Sequence, residues 1–123
     1  MIFDARKAGS MTEEQIARVA HEANRAMTQI LQDVPVQSGW DEISVDMRAS
    51  CVNGVVFAIR NPDAGAEEQH EAWCKERRAA GWVWGPTKDV ELKLHPALRS
   101  WSELSDGVRR KDAVFRAIVK ALL

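Results

Sequence analysis

His70-Glu71-Ala72-Trp73, then Gly81-Trp82-Val83-Trp84-Gly85-Pro86, Lys88-Asp89, His95-Pro96-Ala97-Leu98 and Trp101 hold four of the five tryptophans of this chain, which has three Phe and no Tyr. Tryptophan carries a polar N–H that wants a partner and is seldom fully buried, so this crowding exceeds what filling a core requires. The same stretch sets the architecture. Asp63 can cap a helix from about Ala64 to Ala80, with Ala66, His70, Trp73, Arg77 and Ala80 on its inner face and Gly81 as terminator. Beyond it, Trp82-Val83-Trp84, the turn Gly85 to Asp89, and Val90 to Leu94 read as a short β-ribbon near residues 82–94.

Working outward, Thr12 with Gln15 three residues on forms a capping-box start. It opens a helix whose stripe is Ile16, Val19, Ala20, Ala23, Met27, Ile30, Leu31 and Val34, ending before Pro35. Ile43, Met47, Cys51, Val55 and Phe57 to Ile59 suit a second helix, although Gly54 and β-branched Val52, Val55 and Val56 leave strand as the competing reading for residues 52–59. A final helix begins at Ser102 or Ser105 and carries Val108, the Lys111 stem, Phe115, Ile118, Val119 and Leu122. Residues 1–10 lack periodicity and read as a loose lead-in to a single domain over residues 11–123.

The chain echoes itself. His21-Glu22-Ala23 returns 49 residues later as His70-Glu71-Ala72, and Trp40-Asp41-Glu42-Ile43-Ser44 with Arg48 returns 61 residues later as Trp101-Ser102-Glu103-Leu104-Ser105 with Arg109. The difference of 12 falls between His70 and Trp101, where the ribbon lies. A mainly α, four-helix, pseudo-duplicated fold follows, with the ribbon enlarged in the second copy.

Composition narrows the function. At 123 residues the chain can bury a core, and 17 basic against 18 acidic residues give a formal net charge of −1, which disfavours a nucleic-acid polymer as partner. The runs Lys75 to Arg78 and Arg109 to Lys111 read as solvated helix faces. Cys51 and Cys74 form no CxxC pair and lack zinc-spaced histidines, pointing to a reducing compartment. With no signal-like start and no long apolar run, a cytoplasmic protein without membrane contact is expected.

Catalytic patterns are missing. Arg25 and Cys74 stand where a metalloprotease would need its second histidine after His21-Glu22 and His70-Glu71. GxSxG, P-loop and GxGxxG strings are likewise missing, so neither an enzyme nor a metal or cofactor protein is expected. A weaker enzymatic reading rests on His70, Glu71 and His95. The acidic pairs Glu13-Glu14 and Glu67-Glu68 suit the first turns of helices.

The tryptophans then divide between two roles. As structure, Trp82 and Trp101 would pin the ribbon to the helices. As function, Trp73 and Trp84 would line a cleft that stacks on a planar ring, with Arg25, Arg77 or Lys88 meeting phosphate; stacking of that kind is worth roughly 1–3 kcal/mol per base.

The ordered string HExW, GWxWGP, KD, HPxL, W and L over residues 66–112 resembles the ryanodine-receptor repeat, the RyR domain. The first half, with His21-Glu22-x-Asn24-Arg25 and Asn53-Gly54-Val55, is similar to small stand-alone RyR-domain proteins of bacteria and their phages. Trp84 stands where the family usually has Tyr, and Ala97 where HPCL has Cys. The resemblance implies mostly helical modules with a short β-ribbon, adenine-nucleotide stacking on Trp73, and a link to nucleotide signalling in anti-phage immunity. The expectation is therefore a non-enzymatic module that binds, or sequesters, a small nucleotide-like ligand through Trp73, Trp82, Trp84, His70, Arg25, Arg77 and Lys88. The alternative is a structural or protein-interaction module. A homo-oligomer is expected in either case, because exposed apolar surface is readily buried against a copy.

Overall fold

The computed structural model describes residues 10–32 and 35–123. The lead-in at residues 1–10 therefore lies, apart from Ser10, outside the described residues, as does Val34 of the first helical stripe.

Four helices dominate: α1 Glu13–Ile30, α2 Val45–Arg60, α3 Ala66–Ala79 and α4 Asp106–Leu122. The capping box at α1 forms as read, with the Thr12 amide donating to Gln15 Oε1 at 2.8 Å and the Gln15 amide to Thr12 Oγ1 at 3.1 Å. The helix stops at Ile30, because Leu31 turns extended while its amide closes the last turn on Met27. Ile16, Ala17 and Ala20 are buried, whereas Val19 and Ile30 of the expected stripe are exposed.

Helix, and not strand, occupies residues 52–59. Ser44 caps α2 by accepting from the Met47 amide at 3.1 Å, and fully buried Val55 gains more from burial, about 1.5–3 kcal/mol, than β-branching costs in helix propensity. Gly54 sits where α2 meets α4: a Cβ there would lie 3.1 Å from Phe115 Cζ.

Helix α3 starts later than expected. Its N-cap is Gly65 and not Asp63, since the Glu68 carboxylate reaches back to the Gly65 amide at 2.9 Å. The buried face is Gln69, His70, Cys74 and Arg77, slightly rotated from the predicted one, while Gly81 with φ +92° ends the helix as foreseen.

The ribbon departs from a simple hairpin. Strands β1 (Val83–Trp84) and β2 (Leu94–His95) run parallel, pairing Val83 with Leu94 and Trp84 with His95. Parallel pairing requires the chain to travel back before re-entering the sheet. The intervening loop does so by closing on itself, with Asp89 and Leu94 exchanging backbone hydrogen bonds of 3.0 and 2.9 Å. Lys93 completes the reversal at φ 54° and its ammonium donates to the Ala80 carbonyl at 2.8 Å, which ties the loop to the end of α3.

Helices α2 and α4 lie together, with α1 and α3 each packed against both. The main core joins Ile16, Ala17, Ala20, Trp40, Val55, Ala58, Phe115 and Val119, and a smaller one joins Cys74, Trp82 and Leu98. No helix among the described residues is long and apolar enough to cross a membrane.

The sequence echo is a structural repeat. His21 Nε2 donates to the Ser38 carbonyl at 2.7 Å, and His70 Nε2 donates to the Arg99 carbonyl at 2.8 Å. Arg48 Nε donates to the Trp40 carbonyl and Arg109 Nε to the Trp101 carbonyl, both at 3.0 Å. Each guanidinium also lies over its tryptophan, at 5.6 and 5.7 Å from the ring centre, and each histidine ring is 6.0 Å from the same indole. Even the caps repeat, Ser44 and Ser105 each accepting from the amide three residues on.

Candidate functional cleft

Between the two halves lies a cavity of about 450 Å³, within the range of small-molecule sites. Its wall includes equivalent positions of the duplication: His21 and His70, Asn24 and Trp73, Ser50 and Lys111, Cys51 and Asp112, and Gly54 and Phe115. Both copies of the repeat thus contribute to the cleft. Helix α3 supplies His70 and Trp73, α4 supplies Lys111 and Asp112, and the loop after β1 supplies Lys88 and Val90, with His95 from β2.

Of the residues singled out from sequence, His70, Trp73 and Lys88 line this cavity. His70 is buried, with Nε2 committed to the Arg99 carbonyl and Nδ1 3.8 Å from the Asp112 carboxyl. Trp73 is half-buried and held edge-on by His95, ring centres 4.9 Å apart.

The other four stand outside it. Trp82 is buried in the smaller core under the Arg77 guanidinium, 5.6 Å from its ring. Trp84 is 46% exposed and covered on one side by Arg99 at 5.0 Å. Arg77 is itself buried, with Nε donating to Glu76 Oε2 at 2.6 Å and a terminal nitrogen donating to Asp46 Oδ2 at 3.0 Å. These bonds hold its guanidinium more firmly protonated than usual, against the opposing effect of burial. Arg25 sits beside Glu22, 3.5 Å from its carboxylate.

Electrostatically the cleft is unbalanced. Neither Lys88 nor Lys111 makes a hydrogen bond or close ion pair among the described residues. Burial pushes the Lys111 ammonium down to about 8; Asp112 opposes that shift and Lys88 adds to it. Lys88 is lowered too, by burial and then by Arg77. Burial lifts the Asp112 carboxyl to about 7, with Lys111 pulling the other way. His95 accepts the Ala97 amide on Nδ1 at 3.0 Å, and burial followed by the nearby lysines keeps it neutral by lowering it to about 3. Two underpaired cations beside an aromatic face make a place for an anion that carries a flat ring.

Lys111 and Asp112 were the residues hardest to single out. Lys111 reads as a snorkelling stem on the apolar stripe of α4, and Asp112 has no motif around it. A usable signal was present, however: the 61-residue echo makes them equivalent to Ser50 and Cys51, so the second copy carries Lys and Asp where the first carries Ser and Cys. The three histidines all border the cavity, yet among the described residues no group of three His, Cys, Asp or Glu side chains is placed to hold a metal ion.

A family model described as the RyR domain matches residues 56–123, the second half of the repeat together with the end of α2. No curated protein shows a significant match to the chain.

Proposed function

We propose, from the premise that the chain belongs to the RyR domain family, that it is a non-enzymatic binding module whose cleft takes a small nucleotide-like anion. The observation that carries this reading is the pair Lys88 and Lys111 in one cavity with Trp73. Burial first, and then nearby positive charge (Arg77 on Lys88, Lys88 on Lys111), disfavours both ammonium ions, and a guest phosphate would relieve that cost through charge-assisted hydrogen bonds. Trp73 would meet the base. The ring is fixed by His95 before any guest arrives, so little ordering is required of it on binding.

Chemistry on the guest has less support. Burial lifts the Cys51 and Cys74 thiols to about 12 and about 11, which keeps both protonated at neutral pH and poorly nucleophilic. Prolonged incubation with a panel of adenine and cyclic nucleotides, followed by chromatography, is expected to return them unchanged.

Calorimetric titration with ADP tests the binding itself. Lys111→Met is expected to weaken ADP by at least about tenfold, the loss of one charge-assisted contact. A folded wild-type sample that binds no member of the panel would overturn the reading.

A second reading, a protein-interaction module, is favoured by one observation: Val83, Trp84, Val90 and Leu92 are all exposed on the ribbon and its loop. Under it, Trp84→Ser would abolish partner capture or self-association in sedimentation while nucleotide titrations stayed flat.

A further inference from the structure

The cleft has two unlike ends. One holds Lys88, Lys111 and Trp73; the other is bordered by Asn24 on α1 and by Gln37, Ser38 and Glu42 from the connection between α1 and α2. At that second end the side-chain oxygens Asn24 Oδ1 and Gln37 Oε1 are both enclosed and accept no hydrogen bond. Enclosed amide oxygens without a partner are uncommon in folded proteins, since each loses its hydration without replacement. The Glu42 carboxylate close by makes no hydrogen bond or ion pair among the described residues either. Two enclosed oxygens without a partner and one exposed carboxylate therefore border a cavity large enough for a guest.

Resting on the anion-binding reading above, we infer that the Asn24, Gln37 and Glu42 end is a second subsite for the same guest, and that it takes a group rich in hydrogen-bond donors and free of negative charge, a sugar or an amine. A terminal amide exchanges its oxygen and nitrogen in nearly the same volume by turning about its last torsion. Either amide can thus offer its oxygen to an N–H or O–H of the guest without backbone movement. A second phosphate would meet the Glu42 carboxylate there and is disfavoured by its charge. The preferred guest is polar at both ends, with its anion on the lysines and its donors on the amides.

Titration with ADP, ADP-glucose and the aminohexyl ester of ADP tests this. The last two extend the same diphosphate by a neutral sugar or by an ammonium group. At least one is expected to bind about tenfold more tightly than ADP, the sugar or the amine being identified by which one gains. That gain should vanish in Asn24→Leu and Gln37→Leu while ADP affinity holds. Glu42→Gln, at an exposed position that leaves the fold alone, should reduce an amine's gain. Extended ligands that bind no better than ADP, or a gain that survives these substitutions, would overturn the subsite and leave the anion reading standing. If ADP itself fails to bind folded protein, both fall together.

Discussion

The two halves of this protein share their anchors and differ where they line the cleft. In both, a histidine donates to a loop carbonyl, an arginine clasps a tryptophan carbonyl and lies over its ring, and a serine caps the following helix. In the cleft the equivalent pairs diverge: Asn24 against Trp73, Ser50 against Lys111, Cys51 against Asp112, Gly54 against Phe115. Contacts within a half fix its own geometry and tolerate little change. Positions lining a cavity carry no such duty, and there the second half holds the ring and the charges. The comparison separates what holds the fold from what equips the cleft.

Its sharpest test lies in the anchors. His70 is 2% exposed, and its removal takes away the donor to the Arg99 carbonyl and leaves a void beside Trp73 and Trp101. His21 makes the same bond in a half-exposed setting where water can replace it. His70→Ala should cost about 3 kcal/mol of unfolding free energy and His21→Ala about 1 kcal/mol, read from urea denaturation midpoints. Equal costs, or the reverse order, would show that the anchors are not equivalent in kind.

At the centre of the seam the duplication imposes asymmetry. Gly54 and Phe115 occupy equivalent positions and touch each other, so only one of them can be large. A Cβ at Gly54 would already stand 3.1 Å from Phe115 Cζ, and a branched side chain would push α2 and α4 apart. Gly54→Val should cost about 2 kcal/mol, within the usual range for overpacking. Gly54→Val combined with Phe115→Leu should recover part of it. Failure of the second change to help would place the strain elsewhere.

How far the sequence revealed this arrangement follows from where the information is local. Caps at Thr12 and Ser105, the terminator Gly81 and the helical stripe of α4 depend on neighbours in the chain, and all were legible. Helix at 52–59 was the first reading and it holds, but strand stayed open beside it, because burial of Val55 in the main core decided the matter and burial is a property of the assembled halves. The ribbon's parallel sense was hidden, since it depends on Asp89 pairing back to Leu94. For the cleft, His70, Trp73 and Lys88 were found through aromatic crowding and motif spacing. Arg77 looked like a free cation because the sequence did not show that the adjacent Glu76 would turn onto it and that Asp46, 31 residues earlier, would join them. Lys111 and Asp112 sit on an apolar stripe, and only the echo with Ser50 and Cys51 marks them.

That echo also assigns the pH response of the cleft to one half. Cys51, lifted to about 12, stays protonated through the working range, whereas its counterpart Asp112 titrates at about 7 and Lys111 at about 8. Both act in the same direction on a bound anion: as pH rises, Asp112 gains negative charge and Lys111 loses positive charge, so affinity falls. Cyclic AMP is the suitable probe, because its phosphodiester keeps one charge throughout. Its affinity should fall by about tenfold between pH 6 and pH 9, a change of about 1.4 kcal/mol. Lys111→Met should leave a single step moved up from 7, since Lys111 no longer pulls Asp112 down; Asp112→Asn should leave a single step moved down from 8, since Asp112 no longer supports Lys111; and Cys51→Ser should leave the profile untouched. A flat profile in the wild type, or one that Cys51→Ser alters, would mean that the charges of the second half do not govern the cleft.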